Sequence, residues 1–248
     1  MPTIYECVMA VADGRCDRAL VPIENSLEGS VNATLDALVF ETDQVQIAGE
    51  LVHPIAHTLI ARTQLPLVQI ERVLSHPQAS AQCAKFLRDH LGQAEVMGAQ
   101  STADAVRIVA ESDQPWAALG NHISAELYGC EVLADRVEDT PENETRFVWL
   151  ERNSGRLPTA DRRPFKTSIV FWGMSDHPGA LVDVLQEFAA RGINLSKIES
   201  RPRKQGLGRY VFFADLLGRA DDPPVVEALE AIGGAVETLR VLGCYPSA

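Results

Sequence analysis

Residues 143–150 read Asn143-Glu144-Thr145-Arg146-Phe147-Val148-Trp149-Leu150. A hydroxyl, a permanent cation and an aromatic ring stand side by side ahead of an apolar run, which is typical of a polar cluster at the start of a β-strand. The segment 135–144 is rich in acidic residues and contains Pro141, which predicts an exposed loop. Loops held by a rigid sheet often carry functional residues, so we expect Thr145 and Arg146 to belong to a site. The alternative is that Thr145 only begins the strand and Arg146 only neutralises the acidic loop.

Length and composition place the chain among ordinary globular proteins. It has 248 residues, of which 46% are hydrophobic and 23% charged, and this predicts one to two domains with a sizeable core. The apolar runs are strand-sized, far below the roughly 20 residues of a membrane span. Residues 1–7 lack a basic region followed by an apolar stretch, so we predict no secretory signal and expect a cytoplasmic protein.

Charge and cysteine spacing exclude several kinds of partner. The net charge is −12, and no basic stripe is visible, so we expect no nucleic-acid partner. A small anionic ligand would need local positive charge, which the guanidinium of Arg146 offers. The five cysteines lack any Cys-x-x-Cys spacing, which predicts reduced thiols rather than disulfides or a thiolate metal site. Pro54 separates His53 from His57 and argues against a helical metal pair, so we expect no metal.

The first half of the chain alternates predicted strands and helices. After a helix at 3–17, a strand at 19–23, a helix at 31–40 and two extended pieces within 45–60, strands at 73–74, 95–97 and 116–119 are followed by helices at 77–90, 102–111 and 122–128. This alternation predicts a largely parallel sheet covered by helices.

Polar turns precede three of those helices. The turn from Glu24 to Ser30 joins a strand to a helix, a geometry that suits an anion; the alternative is a plain helix cap by Ser26 or Ser30. The segments 75–78 and 100–102 open two further helices at strand-to-helix turns, where open α/β sheets bind ligands. His76 is either a general base there or only a neighbour of the cap.

The second half changes character after residue 152. Residues 152–163 contain Gly155, Pro158 and four Arg without apolar periodicity, which predicts a linker and divides the chain near 155–165. Beyond it, the pattern predicts strands at 167–172, 195–199, 210–217 and 236–242 with helices at 179–191 and 225–232. This βαββαβ order is the ferredoxin-like motif, a four-stranded antiparallel sheet with two helices on one face.

Six separated motifs resemble those of the prephenate dehydratases of the monofunctional kind. The catalytic region is matched by Val21-Pro22-Ile23-Glu24-Asn25-Ser26 with Gly29, Ser75-His76-Pro77-Gln78-Ala79, Ala125-Glu126-Leu127-Tyr128-Gly129 and Asn143-x-Thr145-Arg146-Phe147, and the phenylalanine-sensing ACT segments by Gly179-Ala180-Leu181-Val182 and Glu199-Ser200-Arg201-Pro202. Each motif alone is weak, but six in the right order cover essentially the whole chain.

The resemblance implies an α/β fold with two parts. A catalytic region of two lobes, similar to type 2 periplasmic binding proteins with the substrate between the lobes, is followed by a ferredoxin-like ACT domain. We expect the catalytic domain at 1–152, with lobe one at 1–56 and 131–152 and lobe two at 57–130, a linker at 153–165 and the ACT domain at 166–248. Family members usually begin with a further strand and helix that carry a Gly-Pro-x-Gly-Thr-like turn, and we expect this chain to lack that unit, which would leave an apolar sheet edge.

The resemblance also implies a reaction, the loss of carbon dioxide and water from prephenate to give phenylpyruvate in L-phenylalanine biosynthesis. Such an enzyme is a carbon–oxygen lyase without metal or organic cofactor. Thr145 is placed at the leaving oxygen, as a hydrogen-bond donor or a member of a proton relay. Arg146 is assigned to structural or carboxylate support, and Phe147 to the substrate ring or to anchoring the strand. The other substrate-binding residues implied are Asn25, Ser26, Ser75, Gln78 and Thr102.

The ACT resemblance implies an L-phenylalanine effector. Its expected contacts are Asp176, Gly179, Ala180, Leu181, Val182, Asn194, Glu199, Ser200, Arg201 and Pro202, with Ile198 adding to an apolar slot. The alternative is that Leu181 and Val182 are core residues and that 199–202 only ends a strand. ACT sheets that pair with their copies would give a homodimer or homotetramer.

Two other functions stay open at this stage. Arogenate dehydratase acts on a substrate that differs from prephenate by one amino group, and the sequence offers no identifiable acidic partner for it. A two-lobed amino-acid sensor without chemistry is the second alternative, against which Thr145 and Arg146 speak.

Overall fold

A computed structural model describes residues 3–159 and 162–248 of the chain. They form two compact units, Met1–His53 with Thr145–Ala248 and, separately, Pro54–Glu144. The predictions for residues 1–2 and for residues 160–161 of the linker lie outside the described residues. Within the described ranges, no helix combines the length and the apolar content that a membrane crossing requires.

Thirteen strands are found in the described residues. They are β1 Arg18–Asn25, β2 Gly29–Ser30, β3 Val45–Pro54, β4 Thr58–Ala61, β5 Arg72–Ser75, β6 Glu95–Gly98, β7 Trp116–Gly120, β8 Glu131–Ala134, β9 Glu144–Arg152, β10 Phe165–Trp172, β11 Leu195–Pro202, β12 Tyr210–Leu217 and β13 Thr238–Pro246. The first unit holds one sheet in the order β11-β12-β10-β13-β3-β9-β1-β2, and the second holds a sheet in the order β6-β5-β7-β4-β8.

The α-helices of these ranges follow the predicted periodicity closely. They are α1 Ile4–Ala12, α2 Asn32–Asp36, α3 Pro77–Gln82, α4 Ala84–His90, α5 Thr102–Ala110, α6 His122–Tyr128, α7 Ala180–Ala190 and α8 Pro223–Ala235. A π-helical turn, Ala37–Glu41, continues α2, and a 3₁₀ turn covers Leu67–Gln69. The helix predicted at 77–90 is interrupted at Cys83, and the helix predicted at 31–40 is α2 with its π-turn.

The N-terminal part of the first unit packs helices against β1, β3 and β9. Thr3 and Glu6 form a capping box that starts α1, each satisfying a backbone N–H of the other. The apolar faces of these elements meet in one buried cluster that includes Val8, Val11, Val21, Ile23, Leu35, Leu38, Ile47, Val148 and Leu150. This core fixes the sheet that carries Thr145.

The C-terminal part of the first unit has the predicted βαββαβ order. Its strands β11, β12, β10 and β13 are antiparallel neighbours. Phe171 of β10 packs with Val184 and Phe188 of α7 and Ile232 of α8 on one face of this sheet. The other face of this sheet packs into the core of β1, β3 and β9, through Val170, Val211, Phe213 and Tyr245. The α/β class with a C-terminal ferredoxin-like domain is thereby confirmed.

Two contacts of β13 join the C-terminal strands to the N-terminal ones. Gly243 pairs in parallel with Ile47 of β3. Arg240 donates to the carbonyl oxygens of Val39, Leu38 and Thr42 at 3.2, 3.3 and 3.2 Å, where the π-turn ends. A guanidinium at this position satisfies carbonyls that have no partner within a helix.

The second unit is a five-stranded sheet with helices on both faces. Leu59 and Leu119 face Cys83 and Leu87, whereas alternate residues of the same strands face α5 and α6. A largely parallel sheet was expected, but only β5 pairs in parallel, with β6 and β7, and β4 is antiparallel to both β7 and β8.

One sequence prediction about residues 131–144 is wrong, and another is correct only in part. β8 was assigned to lobe one, but it pairs with β4, so the second unit extends from Pro54 to Glu144. The loop at 135–144 was expected to be exposed, and most of it is, but Val137, Glu138 and Asn143 are buried. Glu138 accepts a hydrogen bond from the backbone N–H of His57 at 2.9 Å, and this contact accounts for its burial.

Candidate active site

Thr145 and Asn25 form the centre of the candidate site. They lie opposite each other on β9 and β1, both largely buried. The Asn25 Oδ1 atom accepts hydrogen bonds from the backbone N–H groups of Leu27 and Glu28 at 3.0 and 3.1 Å. These contacts fix the orientation of the amide, so its Nδ2 atom donates to the Thr145 Oγ1 atom at 2.9 Å. Thr145 is therefore an acceptor in this bond, and its hydroxyl proton remains to be donated elsewhere.

A bulge in β1 brings Asn25 to this position. Pro22 lies opposite Phe147 and Glu24 lies opposite Arg146, so Ile23 is an extra residue between the two pairs. In a regular strand Asn25 would point to the same face as Val21 and Ile23, which is the core. The extra residue reverses the alternation and turns Asn25 onto the face of Thr145.

Arg146 points to the opposite face of β9 and is surrounded by carboxylates. Its guanidinium lies 2.7 Å from Asp215, 3.2 Å from Glu50 and 3.4 Å from Glu24, and its side chain is 12% exposed. Burial lowers the pKa of Arg146, but Asp215, followed by Tyr245 and Glu24, raises it by more, so the net pKa is raised and the cation is kept. The guanidinium is thus held within the protein, on the face of β9 opposite to Thr145.

The same cluster reaches into the C-terminal sheet. Lys166 of β10 contacts both oxygens of Glu50, at 2.8 and 2.9 Å. Ser168 donates to Asp215 at 2.6 Å and lies 2.7 Å from the hydroxyl of Tyr245. Burial and the charge of Asp215 raise the pKa of Tyr245, so it stays a neutral donor. Residues of the predicted catalytic and regulatory regions therefore share one buried polar network.

The turn between β1 and β2 carries Ser26 and ends at Ser30. Neither serine caps α2, because the residue before that helix is Val31, which provides no side-chain hydrogen bond. The Val31 N–H bonds to the carbonyl of Ile23 at 2.9 Å, and the Thr34 hydroxyl bonds to that of Pro22 at 2.5 Å. Backbone and Thr34 contacts thus hold the segment that follows the turn.

Three predicted residues, Ser75, Gln78 and Thr102, belong to the second unit. Parallel strands β5 and β6 end at Ser75 and Gly98, so α3 and α5 begin at the same edge of their sheet. The Ser75 hydroxyl is buried and donates to the carbonyl of Leu119 at 3.0 Å. Gln78 is exposed in the first turn of α3, which His76 caps through its ring nitrogen, and Thr102 is the first residue of α5.

The sequence did not indicate Gln82, which joins separate parts of the second unit. Its Oε1 atom lies 2.9 Å from His57 Nε2 and 3.2 Å from Asn143 Nδ2. Among residues 3–159 and 162–248, no group of three or more His, Cys, Asp and Glu side chains has a metal-binding arrangement. His57 is therefore a hydrogen-bonding residue of this loop.

Two of the predicted effector residues near the start of α7 border a cavity of about 600 Å³. Asp176 and Ala180 line it together with Arg203, Tyr210 and Glu237. Gly179 adopts a φ of +95° immediately before α7, a conformation that favours glycine. Of the next two residues, Leu181 packs against the core of the C-terminal domain, whereas Val182 is exposed. Asn194 is exposed and precedes β11, where its carbonyl accepts from the N–H of Leu217.

The predicted effector residues on β11 divide between two faces. Ile198 and Ser200 pair with Ala214 and Phe212, on the face that carries the helices. Glu199 points the other way and accepts from the hydroxyl of Ser30. Arg201 also points that way and lies 2.8 Å from Asp36 of α2. Pro202 ends the strand and is exposed.

Comparison with known proteins assigns a family to this arrangement. The family model described as prephenate dehydratase matches residues 1–155, and the ACT domain model matches residues 167–234. A bifunctional chorismate mutase/prephenate dehydratase of Aquifex aeolicus is 39% identical over 99% of this chain, and the chain spans 66% of that relative.

Two solved structures have the same fold. A prephenate dehydratase from Arthrobacter aurescens in complex with L-Phe is 40% identical, with a TM-score of 0.88 over 98% of this chain and 79% of that one. GqqA, described as a novel type of quorum quenching acylase, is 30% identical, with a TM-score of 0.86 over 99% of this chain and 88% of that one. Since a family model covers more than half of the sequence, and both structural relatives span nearly all of it, the chain belongs to the prephenate dehydratase family and carries a C-terminal ACT domain.

Proposed function

We propose that this chain converts prephenate and one proton to phenylpyruvate, carbon dioxide and water, in the biosynthesis of L-phenylalanine. The observation that carries the proposal is the bond from Asn25 to Thr145. It uses the oxygen of Thr145 as acceptor and leaves the hydroxyl proton for a ligand. The family membership supplies the substrate toward which that proton is directed.

Thr145 is the catalytic residue of this proposal. In the reaction, the carbon–carbon bond to the ring carboxylate breaks, its electron pair enters the ring, and the ring hydroxyl departs as the ring becomes aromatic. Hydroxide is a poor leaving group, so a hydrogen bond or proton from Thr145 to that oxygen lowers the barrier. General acid assistance of this kind is typically worth about 10²–10⁴-fold.

The other site residues bind or support. Asn25 and Ser26 offer amide and hydroxyl groups to the substrate carboxylates and carbonyl, and the family resemblance assigns substrate contacts to Ser75, Gln78 and Thr102 as well. Ser75 would act as an acceptor or through a shared proton, because it donates to the carbonyl of Leu119. Arg146 supports the strand from below through its three carboxylates, and Phe147 anchors it opposite Pro22.

We also propose that L-phenylalanine controls the enzyme through the ACT domain. The relative from Arthrobacter aurescens was solved with L-Phe, and this chain has a cavity beside Asp176, Gly179 and Ala180. Leu181, Val182, Asn194, Ser200 and Pro202 would surround the ligand, whereas Glu199 and Arg201 would transmit its effect, because their side chains contact Ser30 and Asp36. Effector coupling is typically about 1–3 kcal/mol.

The wider setting follows from the same assignment. We propose a cytoplasmic homodimer or homotetramer joined through the ACT domains, with prephenate and L-phenylalanine as its small-molecule partners. The net charge of −12 opposes a nucleic-acid partner.

The test is phenylpyruvate formation from prephenate, with and without L-phenylalanine. We expect turnover by the wild type, a loss of about 10²-fold or more in Thr145→Ala, and substantial retention in Thr145→Ser, which keeps the hydroxyl. Wild-type-like turnover in Thr145→Ala would remove Thr145 from its proposed role. The product must be measured directly, because the acylase GqqA shows that this fold can carry another activity.

Arogenate as substrate and sensing without chemistry are the competing functions. Parallel rates on prephenate and arogenate distinguish the two dehydratases, since the amino group of arogenate would need an acidic partner. L-phenylalanine binding without turnover of either substrate would favour the sensor.

A further inference from the structure

Lys197 brings a buried cation from β11 of the ACT domain to the turn that carries Asn25. Its Nζ atom lies 2.5 Å from the hydroxyl oxygen of Ser30, 3.3 Å from Glu24 and 3.4 Å from Glu199. The side chain is 9% exposed, so these contacts act with little screening by water. The six sequence motifs that carried the resemblance do not include Lys197.

Strand geometry determines which way Lys197 points. It lies opposite Asp215 of β12 after an irregularity between Leu195 and Lys197, and it shares a face with Glu199 and Arg201. This is the face turned away from α7 and α8, because Ile198 and Ser200 occupy the other. The charged residues at alternate positions of β11, which are Lys197, Glu199 and Arg201, therefore contact the N-terminal part of the unit.

Lys197 contacts both ends of the β1–β2 turn. Glu24 and Ser30 are paired across these two strands, and Asn25 and Gly29 form the next pair. The ammonium of Lys197 bridges Glu24 to Ser30 and so closes the base of the turn. Without it, Glu24 and Glu199, whose side chains are 36% and 23% exposed, would lose their shared counter-ion, and the base of the turn would be held less firmly.

We infer that Lys197 is a positioning residue, which keeps Asn25 on Thr145 by holding the base of the turn from Glu24 to Ser30. The inference rests on the proposed role of Thr145. The same contact would link the effector to the site, since an effector that shifts β11 also shifts the ammonium of Lys197 that holds the turn.

The kinetic test is Lys197→Met, which keeps the apolar stem and removes the charge. We expect kcat on prephenate to fall about tenfold while KM changes less than about threefold, because misplacement of a catalytic group lowers turnover more than binding. Lys204→Met is the matched control, since Lys204 is an exposed lysine just beyond β11 that pairs with Asp36 at 2.8 Å. It should leave kcat within about twofold of wild type.

A double-mutant comparison separates positioning from general destabilisation. If Lys197 acts through Asn25, Lys197→Met should change kcat less than about twofold in an Asn25→Ala background. A full tenfold loss in that background would overturn the inference, as would an unchanged kcat in the single variant.

Hydrogen exchange gives a readout that does not depend on turnover. The N–H groups of Leu27 and Glu28, which bind Asn25, should exchange about tenfold faster in Lys197→Met and unchanged in Lys204→Met. Unchanged exchange in both variants would contradict the inference even if the enzyme is active. If the wild type fails on prephenate but the turn loosens as expected, the proposed function fails while the contact of Lys197 with the turn stands.

Discussion

The proposed role of Thr145 depends on which partner donates in its hydrogen bond with Asn25. The amide of Asn25 can donate, whereas an aspartate at the same position could only accept. The carboxylate would still accept from the N–H groups of Leu27 and Glu28, so the turn would persist. The Thr145 hydroxyl would then give its proton to the protein instead of the substrate.

Asn25→Asp should therefore inactivate the enzyme without unfolding it. We expect kcat on prephenate to fall by about 10²-fold or more, near the loss in Thr145→Ala, because both changes remove the same donated proton. Steady-state kinetics beside a thermal melt measure this. Activity within about threefold of wild type would show that the direction of this hydrogen bond does not matter.

The buried thiol of Cys83 leads to a prediction about how the stability of the fold depends on pH. Burial, helped by Asp139 and Glu138, raises the pKa of its thiol from 9.0 to about 12. Above pH 9 the unfolded chain releases this proton while the folded chain keeps it, so stability is lost as pH rises toward 12. One such group contributes a slope of at most about 1.4 kcal/mol per pH unit.

Cys83→Ala should remove that contribution. Between about pH 9.5 and 11, we expect the free energy of unfolding in urea to fall less steeply with pH in the variant, by about 1 kcal/mol per pH unit. Below about pH 8 the two proteins should show parallel pH dependence, which serves as the internal control. Parallel curves up to pH 11 would contradict the raised pKa.

At the scale of elements, β13 approaches β3 at a glycine. A Cβ atom on Gly243 would lie 2.2 Å from the carbonyl oxygen of Ile47, closer than any real contact. Gly243→Ala must therefore separate the two strands, and we expect a loss of about 2 kcal/mol in the free energy of unfolding. Gly234→Ala in α8 is the control, because no other atom lies within 4 Å of its added Cβ. Denaturant titrations of both variants test this, and equal stability would contradict it.

The sequence predicted elements better than it predicted their partners. Apolar periodicity located β10, α7, β12 and α8 within a few residues. Periodicity could not assign β8 to the second sheet, because a run as short as Glu131–Ala134 suits the edge of either sheet. Long-range ion pairs such as that of Arg146 with Asp215 leave no local pattern at all.

Two signals for the site were nevertheless present in the sequence. Pro22 within a predicted strand indicates an edge or a bulge, and the bulge beside it is what turns Asn25 toward Thr145. Lys197 and Glu199 alternate along the strand predicted at 195–199, and Arg201 continues the alternation just beyond it, which indicates that this face of the strand meets a polar surface. The identity of that surface, the turn at Ser30 and the helix at Asp36, required the structure.

At the scale of the whole molecule, the strands that carry Asn25 and Thr145 and the ACT strands share one sheet. The sheet runs from β11 to β2 and has Trp172 on β10 and Trp149 on β9. Trp116 lies on β7 of the second unit. Each tryptophan thus reports a different part of the described structure.

Variants that keep one tryptophan, with the other two replaced by Phe, should reveal this sharing. We expect the fluorescence of Trp149 and of Trp172 to follow the same urea transition, because their strands lose their neighbours together. This expectation does not extend to the fluorescence of Trp116, which lies in the second unit. Distinct midpoints for Trp149 and Trp172 would mean that the ACT strands unfold on their own.

The contacts of Arg240 have a consequence for folding during synthesis. The carbonyls that it caps belong to residues 38, 39 and 42, about two hundred positions earlier in the chain. A ribosome releases those carbonyls long before it makes β13, so until then water must occupy the end of the helix of residues 32–41 in place of Arg240. Co-translational folding of the first unit can therefore finish only after β13 has emerged.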